Sequence, residues 1–150
     1  MKKLLLLFTL QILSLCAYAY SEEVPLENPL SNIEISVTGL QNTNGNIVAC
    51  LWRESDPGFP KCDQGKAFQK QTTTATKAKI VFTDVPKGIY AISLFHDEKS
   101  TGKIDLNFMG MPRSGLGVSG KFTKPPSFSK SKIELPTEKP ILIKVNYMGR

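Results

Sequence analysis

The chain predicts an all-β fold: an antiparallel β-sandwich of about seven strands, immunoglobulin-like or transthyretin-like. Three observations lead there. Short apolar runs recur, several of them alternating with a period of two. Turn-forming clusters separate the runs, and the ten prolines all lie outside them. After residue 19 no segment carries a helical stripe of useful length.

The elements follow in order. Ile33, Ile35 and Val37 alternate with Glu34, Ser36 and Thr38, the pattern of a half-buried strand. The cluster 41–46, QNTNGN, is a turn, and Ile47 to Trp52 is the next apolar run, broken by Asp56-Pro57-Gly58-Phe59-Pro60. Phe68 to Thr76, rich in Thr and Gln, reads as an edge strand, and Lys79 to Thr83 as another short one. In Asp84-Val85-Pro86-Lys87-Gly88 a turn is expected, with proline setting φ and Gly88 supplying a positive φ. Ile89 to His96 is nearly apolar throughout, as a central strand buried on both faces should be. A sixth strand holds Ile133 and Leu135. The alternation of Ile141, Ile143, Val145 and Tyr147 with Leu142, Lys144 and Asn146 marks a seventh. Residues 97–126 break the rhythm with little strand pattern. A loop that long inside a compact domain is usually functional, or packed by its own side chains.

The N-terminus carries different information. Lys2 and Lys3 precede an apolar run from Leu4 to Leu15, and Ala17-Tyr18-Ala19 is a small-x-small cleavage site. This is the pattern of a signal peptide over 1–19, with Tyr20 opening the mature chain and periplasmic or secreted localisation following. The run is short for a membrane span, which needs ~20 residues, and no second long apolar run follows. Lipid attachment at Cys16 is disfavoured because Leu15, not a small residue, precedes it. An N-terminal extension over 20–31 and one sandwich domain over 32–148 are expected. The net charge of +6 falls to +4 when Lys2 and Lys3 are removed, and the remaining basic residues are scattered. No stripe of basic and aromatic residues appears, which argues against a nucleic-acid partner. A monomer is expected.

Loss of Cys16 would leave Cys50 and Cys62, an even pair in an oxidising compartment, for which a disulfide is the natural reading.

Residues 85–120 carry a string of punctuated motifs: Pro86, Gly88, Tyr90 and Ala91; His96-Asp97; Gly102, Lys103 and Asp105; Asn107, Gly110, Pro112, Gly115, Gly117 and Ser119; then Pro125-Pro126. Together with Gly45-Asn46-Ile47-Val48, they resemble the secreted bacterial family known as domain of unknown function 2141, over roughly residues 33–147. The resemblance implies a β-sandwich and an export signal, and it implies no activity. Similar proteins often carry Asp-x-Asn-x-Asn-Gly where this chain has Asp97, Lys99 and Thr101 before Gly102.

The stretch 96–115, HDEKSTGKIDLNFMGMPRSG, concentrates the chemistry. Asp97, Lys99, Thr101 and Asp105 stand at calcium-loop positions one, three, five and nine, with Gly102 at six. Calcium wants six to eight oxygens, and an ammonium at Lys99 repels it, so no cofactor is expected and Asp97, Thr101 and Asp105 form only a weak calcium candidate. The plain alternative is a glycine turn in which Asp97 and Asp105 cap backbone amides. A third possibility has the two carboxylates converging on the Lys99 ammonium. His96, the only histidine, is the natural proton shuttle. A hydrolase using His96 with Asp97 and Asp105 is thus one reading, although a lone histidine ending a buried strand is more often structural. Arg113-Ser114-Gly115 is only half of a serine-nucleophile turn. Phe108, Met109, Met111, Leu116 and Val118 place apolar side chains among glycines, with Arg113, Lys121 and Lys124 as a basic rim. That composition suits a protein partner or an anionic small ligand, although the same side chains would equally plug an end of the sandwich. The favoured function is a binding or envelope-associated module, not an enzyme, working through loop 97–126 with His96, Asp97, Lys99, Asp105, Asn107 and Arg113 as candidate contacts.

Overall fold

A computed structural model of the protein describes residues 29–148. The expected signal peptide, the lipidation question at Cys16 and most of the N-terminal extension lie outside the described residues. Among the described residues eight strands form two packed sheets. β1 (Ser31–Thr38), β4 (Lys79–Val85) and β8 (Ile141–Lys144) make a three-stranded sheet in the order β4-β1-β8. β3 (Gln69–Thr74), β2 (Asn46–Trp52), β5 (Gly88–Asp97) and β6 (Leu116–Val118) follow one another in the second sheet, where β7 (Lys132–Leu135) also pairs with β5. The sandwich is all-β, as the sequence predicts.

Alternation explains the first sheet. Ile33, Ile35 and Val37 of β1 are buried, as are Ile80, Phe82 and Val85 of β4 and Ile143 of β8. They meet Ile47, Ala49 and Leu51 of β2 and Tyr90, Ile92 and Leu94 of β5 in the main core. The runs of β2 and β5 lack alternation because their other face is also covered. Val48, Cys50, Trp52 and Phe95 pack there beneath Phe59, Ala67, Ile104, Leu116 and Phe128. The Cys50–Cys62 disulfide, with Cα atoms 5.6 Å apart, ties the loop after β2 onto this outer face. The Trp52 indole N–H donates to the buried Ser93 hydroxyl over 2.8 Å. β3 lies at the edge of its sheet, consistent with its polar, Thr-rich sequence.

Four details depart from the expectations. β8 pairs with β1 in parallel, not antiparallel, with Ile35 opposite Ile141. The stretch 97–126, with little strand pattern in the sequence, contains β6, which pairs with β5 from Ser93↔Val118 to Phe95↔Leu116. Three residues with Gly117 at the centre are too few to display a period. A one-turn helix, α1 (Phe128–Ser131), precedes β7 and was not signalled. In the 84–88 turn the positive φ belongs to Asp84, at 55°, not to Gly88. Gly88 suits the turn for a different reason: a Cβ there would stand a tight 3.2 Å from the Tyr90 ring, whose hydroxyl donates back to the Pro86 carbonyl over 3.0 Å. Burial is the largest influence on that phenol and holds its pKa above the ordinary 10.0, against the opposing pull of Arg53.

Past the end of β8 the backbone leaves its own sheet. The Leu116 and Asn146 amides each donate to the other's carbonyl over 2.8 Å, lacing the two sheets together at this edge. That exchange brings Tyr147 to the end of β5, where the candidate site lies.

Candidate functional site

The site is built on the last two residues of β5. His96 pairs with Ile47 of β2 and faces the main core, fully buried. Its Nε2 stands 2.8 Å from the Asn44 carbonyl and its Nδ1 2.7 Å from the Tyr147 hydroxyl. A carbonyl only accepts, so Nε2 carries hydrogen. In the neutral ring Nδ1 then accepts from Tyr147, whose oxygen accepts in turn from the Gln41 amide at 3.2 Å. One histidine thereby links three segments far apart in sequence.

Asp97 follows with its chain beginning to turn. Its carboxylate accepts from the Thr101 amide at 3.0 Å and the Gly102 amide at 2.6 Å, with the Thr101 hydroxyl at 3.3 Å. A buried carboxylate bonded to backbone amides is stabilised by charge-assisted hydrogen bonds and fixes the turn. This is the glycine-turn arrangement at Asp97. Lys99 does not bridge two aspartates. Its ammonium pairs with Asp105 at 2.8 Å, while Asp97 is committed to amides. The Lys99–Asp105 pair is solvent-exposed on both sides and is worth ~0–1 kcal/mol.

The turn cluster 41–46 clamps this loop from the other side. The Asn46 amide group donates to the Ser100 hydroxyl at 3.1 Å and that of Asn42 to Glu98 at 3.0 Å. Gly45 sits so close to the β5 end that a Cβ would collide with the Asp97 carbonyl, and its φ of 67° also favours glycine. Between these loops and Ile104, Arg113 and Ser114 opens a cleft of about 850 Å³. Charges of both signs line it: Asp97, Glu98 and Asp105 against Lys99, Lys103 and Arg113. Such a cleft has the means to hold a polar or zwitterionic group. Among the described residues no group of three His, Cys, Asp or Glu side chains is placed to hold a metal ion.

From the cleft, residues 105–113 rise as a narrow arm. The Arg113 amide donates to the Asp105 carbonyl at 2.7 Å, Leu106 bridges Pro112, and the Asn107 amide donates to the Met111 carbonyl at 2.9 Å. The Asn107 side-chain oxygen accepts from the Met109 amide at 2.9 Å and the Met111 amide at 3.0 Å, closing the tip. The loop's apolar residues divide into two sets. Leu116 and Val118 join the sandwich through β6, whereas Phe108 is 97 % exposed, Met109 65 % and Met111 43 %. Plugging the sandwich therefore accounts for two of the five.

The residues 35–143 match the family model described as an uncharacterized protein conserved in bacteria, domain of unknown function 2141. The chain belongs to that family. No curated protein and no solved structure matches it. The domain of unknown function 2141 match takes in His96, Asp97, the 98–105 turn and the whole arm, but stops short of Tyr147.

The structure brings together His96, Asp97, Lys99, Asp105 and Arg113 around the cleft, while Asn107 stands apart, shaping the arm's tip. Sequence reasoning missed Tyr147, Asn44, Glu98, Lys103 and Ser114. Ser114, weighed only as a nucleophile, is buried and accepts the Asp105 amide at 2.9 Å. The 141–147 alternation pointed Tyr147 inward, but no sequence signal named His96 as the group it meets.

Proposed function

We propose that the protein is an exported binding module of the bacterial cell envelope, working through the loop 97–126 and above all its arm. One observation carries the reading. The arm is secured at its base by buried Asp97 and Ser114 and closed at its tip by Asn107, yet it holds Phe108, Met109 and Met111 out in solvent. Exposed apolar side chains gathered on an ordered element mark an interaction surface. Export is supported by Lys2 and Lys3, the apolar run after them, the Ala17-Tyr18-Ala19 site and a disulfide of the kind oxidising compartments preserve.

The hydrolase reading has less support. A general base must reach a substrate proton, and His96 is fully buried with one nitrogen on a carbonyl and the other on Tyr147. Asp97 is likewise occupied by amides.

Osmotic-shock fractionation of cells making the full chain tests the proposal. The natural protein is expected to stay with the envelope, and a Phe108→Ser/Met109→Ser variant of equal melting temperature to appear in the shock fluid. Natural protein released entirely with the shock fluid would overturn the reading.

A further inference from the structure

We infer that the partner at the envelope is an anionic lipid surface, into which the tip of the arm inserts. The inference rests on the proposed envelope role and deepens it.

The first argument is shape. The apex is convex: a Cβ built on Gly110 meets nothing within 4 Å, and Phe108 is 97 % exposed. A fluid interface accepts a protruding apolar knob without a matching pocket. Leu106 and Met111 continue the apolar surface down both sides, each about half exposed.

The second is backbone chemistry. Polar groups leaving water need partners of their own, since an unsatisfied amide is expensive in an apolar medium. The arm meets much of this requirement internally. The amides of Asn107, Met109, Gly110 and Met111 all donate within the tip, two of them to the Asn107 side chain.

The third is charge placement. Lys103 and Arg113 are exposed beside the base of the arm, and neither has a carboxylate partner among the described residues. The Lys99 charge is balanced by Asp105. The Arg113 amide pairs with the carbonyl of Asp105, three residues from Phe108, which at ~3.3 Å per extended residue sets the Arg113 backbone roughly 10 Å behind the apex. Interfacial apolar groups typically bury about 5–10 Å deep, so the Arg113 cation meets the phosphate level as the apex enters the acyl boundary, with Lys103, two residues before Asp105, behind it. Each cation near an anionic surface strengthens binding about fivefold.

Co-sedimentation of the purified protein with vesicles tests this, using phosphatidylcholine alone and an equal mixture of phosphatidylcholine and phosphatidylglycerol at low salt. Binding to the mixed vesicles is expected, with much weaker binding to phosphatidylcholine. Arg113→Gln should weaken it about fivefold, and Lys103→Gln, further from the apex, by less. Phe108→Ser/Met109→Ser should weaken it more than tenfold, and because these side chains are exposed the circular dichroism spectrum should not change. Failure of the natural protein to sediment with the mixed vesicles would overturn the inference. So would mixed-vesicle binding that survives the serine substitutions, since that is charge adsorption without insertion. If vesicles do not bind but envelope retention in cells still depends on Phe108, the partner is a protein. In that case the lipid inference falls and the envelope reading stands.

Discussion

Replacing Tyr147 by Phe removes one oxygen and leaves the ring where it is, packed against Gly115 and edge-on to His96 with centroids 6.3 Å apart. His96 Nδ1 then loses its donor on a ring that is itself fully buried. The Gln41 amide is exposed, so water satisfies it. A buried polar atom left unpaired costs about 1–3 kcal/mol. With an unfolding entropy of ~2.1 cal/mol/K per residue over the roughly 120 described residues, each kcal/mol moves the melting temperature by about 4 °C. The expected fall is about 8 °C at the centre of that range. Thermal melts followed by circular dichroism measure it, and a second assay isolates the cause. His96 is the chain's one histidine, so nitrogen NMR of histidine-labelled protein reports a single imidazole without assignment. The neutral ring should carry its hydrogen on Nε2, facing Asn44, in both proteins. A fall below about 2 °C, or a natural protein with hydrogen on Nδ1 and none on Nε2, would refute the proposed chain of donors.

Other outcomes follow from neighbouring features. The Cys50–Cys62 bridge spans 12 positions, for which loop-closure entropy gives ~3 kcal/mol, so the reduced protein should melt lower yet still fold. Mass spectrometry of protein prepared without reductant should find the pair oxidised, and two free thiols would contradict the structure. Calcium should leave the melting temperature of the natural protein unchanged, because Asp97 is bonded to the loop's own amides and Lys99 occupies Asp105. A calcium-dependent rise in Lys99→Asn alone would show that the ammonium is what keeps the ion out. Tyr90 ties stability to alkaline pH. Its phenol is harder to ionise in the folded protein, so its contribution is intact below the ordinary pKa of 10.0 and is lost as pH rises through the higher folded value. Tyr90→Phe should flatten the alkaline limb of the stability curve, and an unchanged limb would remove Tyr90 as its cause.

Much of the fold was legible because period-two patterning reports which side of a strand is wet. Ile33, Ile35 and Val37 declared their inward face before any neighbour was known. The continuous run of β5 announced burial on both faces, and the cover proved to be the disulfide loop and residues around Ile104 and Leu116. The short elements were not legible. β6 has three residues and α1 one turn, less than a period can express, and both form because β5 and the outer face give them something to pack on.

The sequence by itself determined that this chain makes strands, where most of them run, that two cysteines are available to each other, and that polar and apolar side chains crowd residues 96–115. Those properties are local, carried by residue type and spacing. Tertiary structure alone decided the rest. Pairing of β8 with β1 is a contact across more than a hundred residues, as is the meeting of the Gln41 amide with the Tyr147 hydroxyl beside His96. Lys99 faces Asp105 and not Asp97 because the amides of Thr101 and Gly102 reach Asp97 first through the turn. Five apolar residues of similar character part company in the same way. Leu116 and Val118 find an open strand edge on β5, whereas Phe108, Met109 and Met111 stand on an arm that leads away from the core. Hydrophobicity sets the tendency to be buried, but only the path of the backbone determines whether there is anything to be buried against.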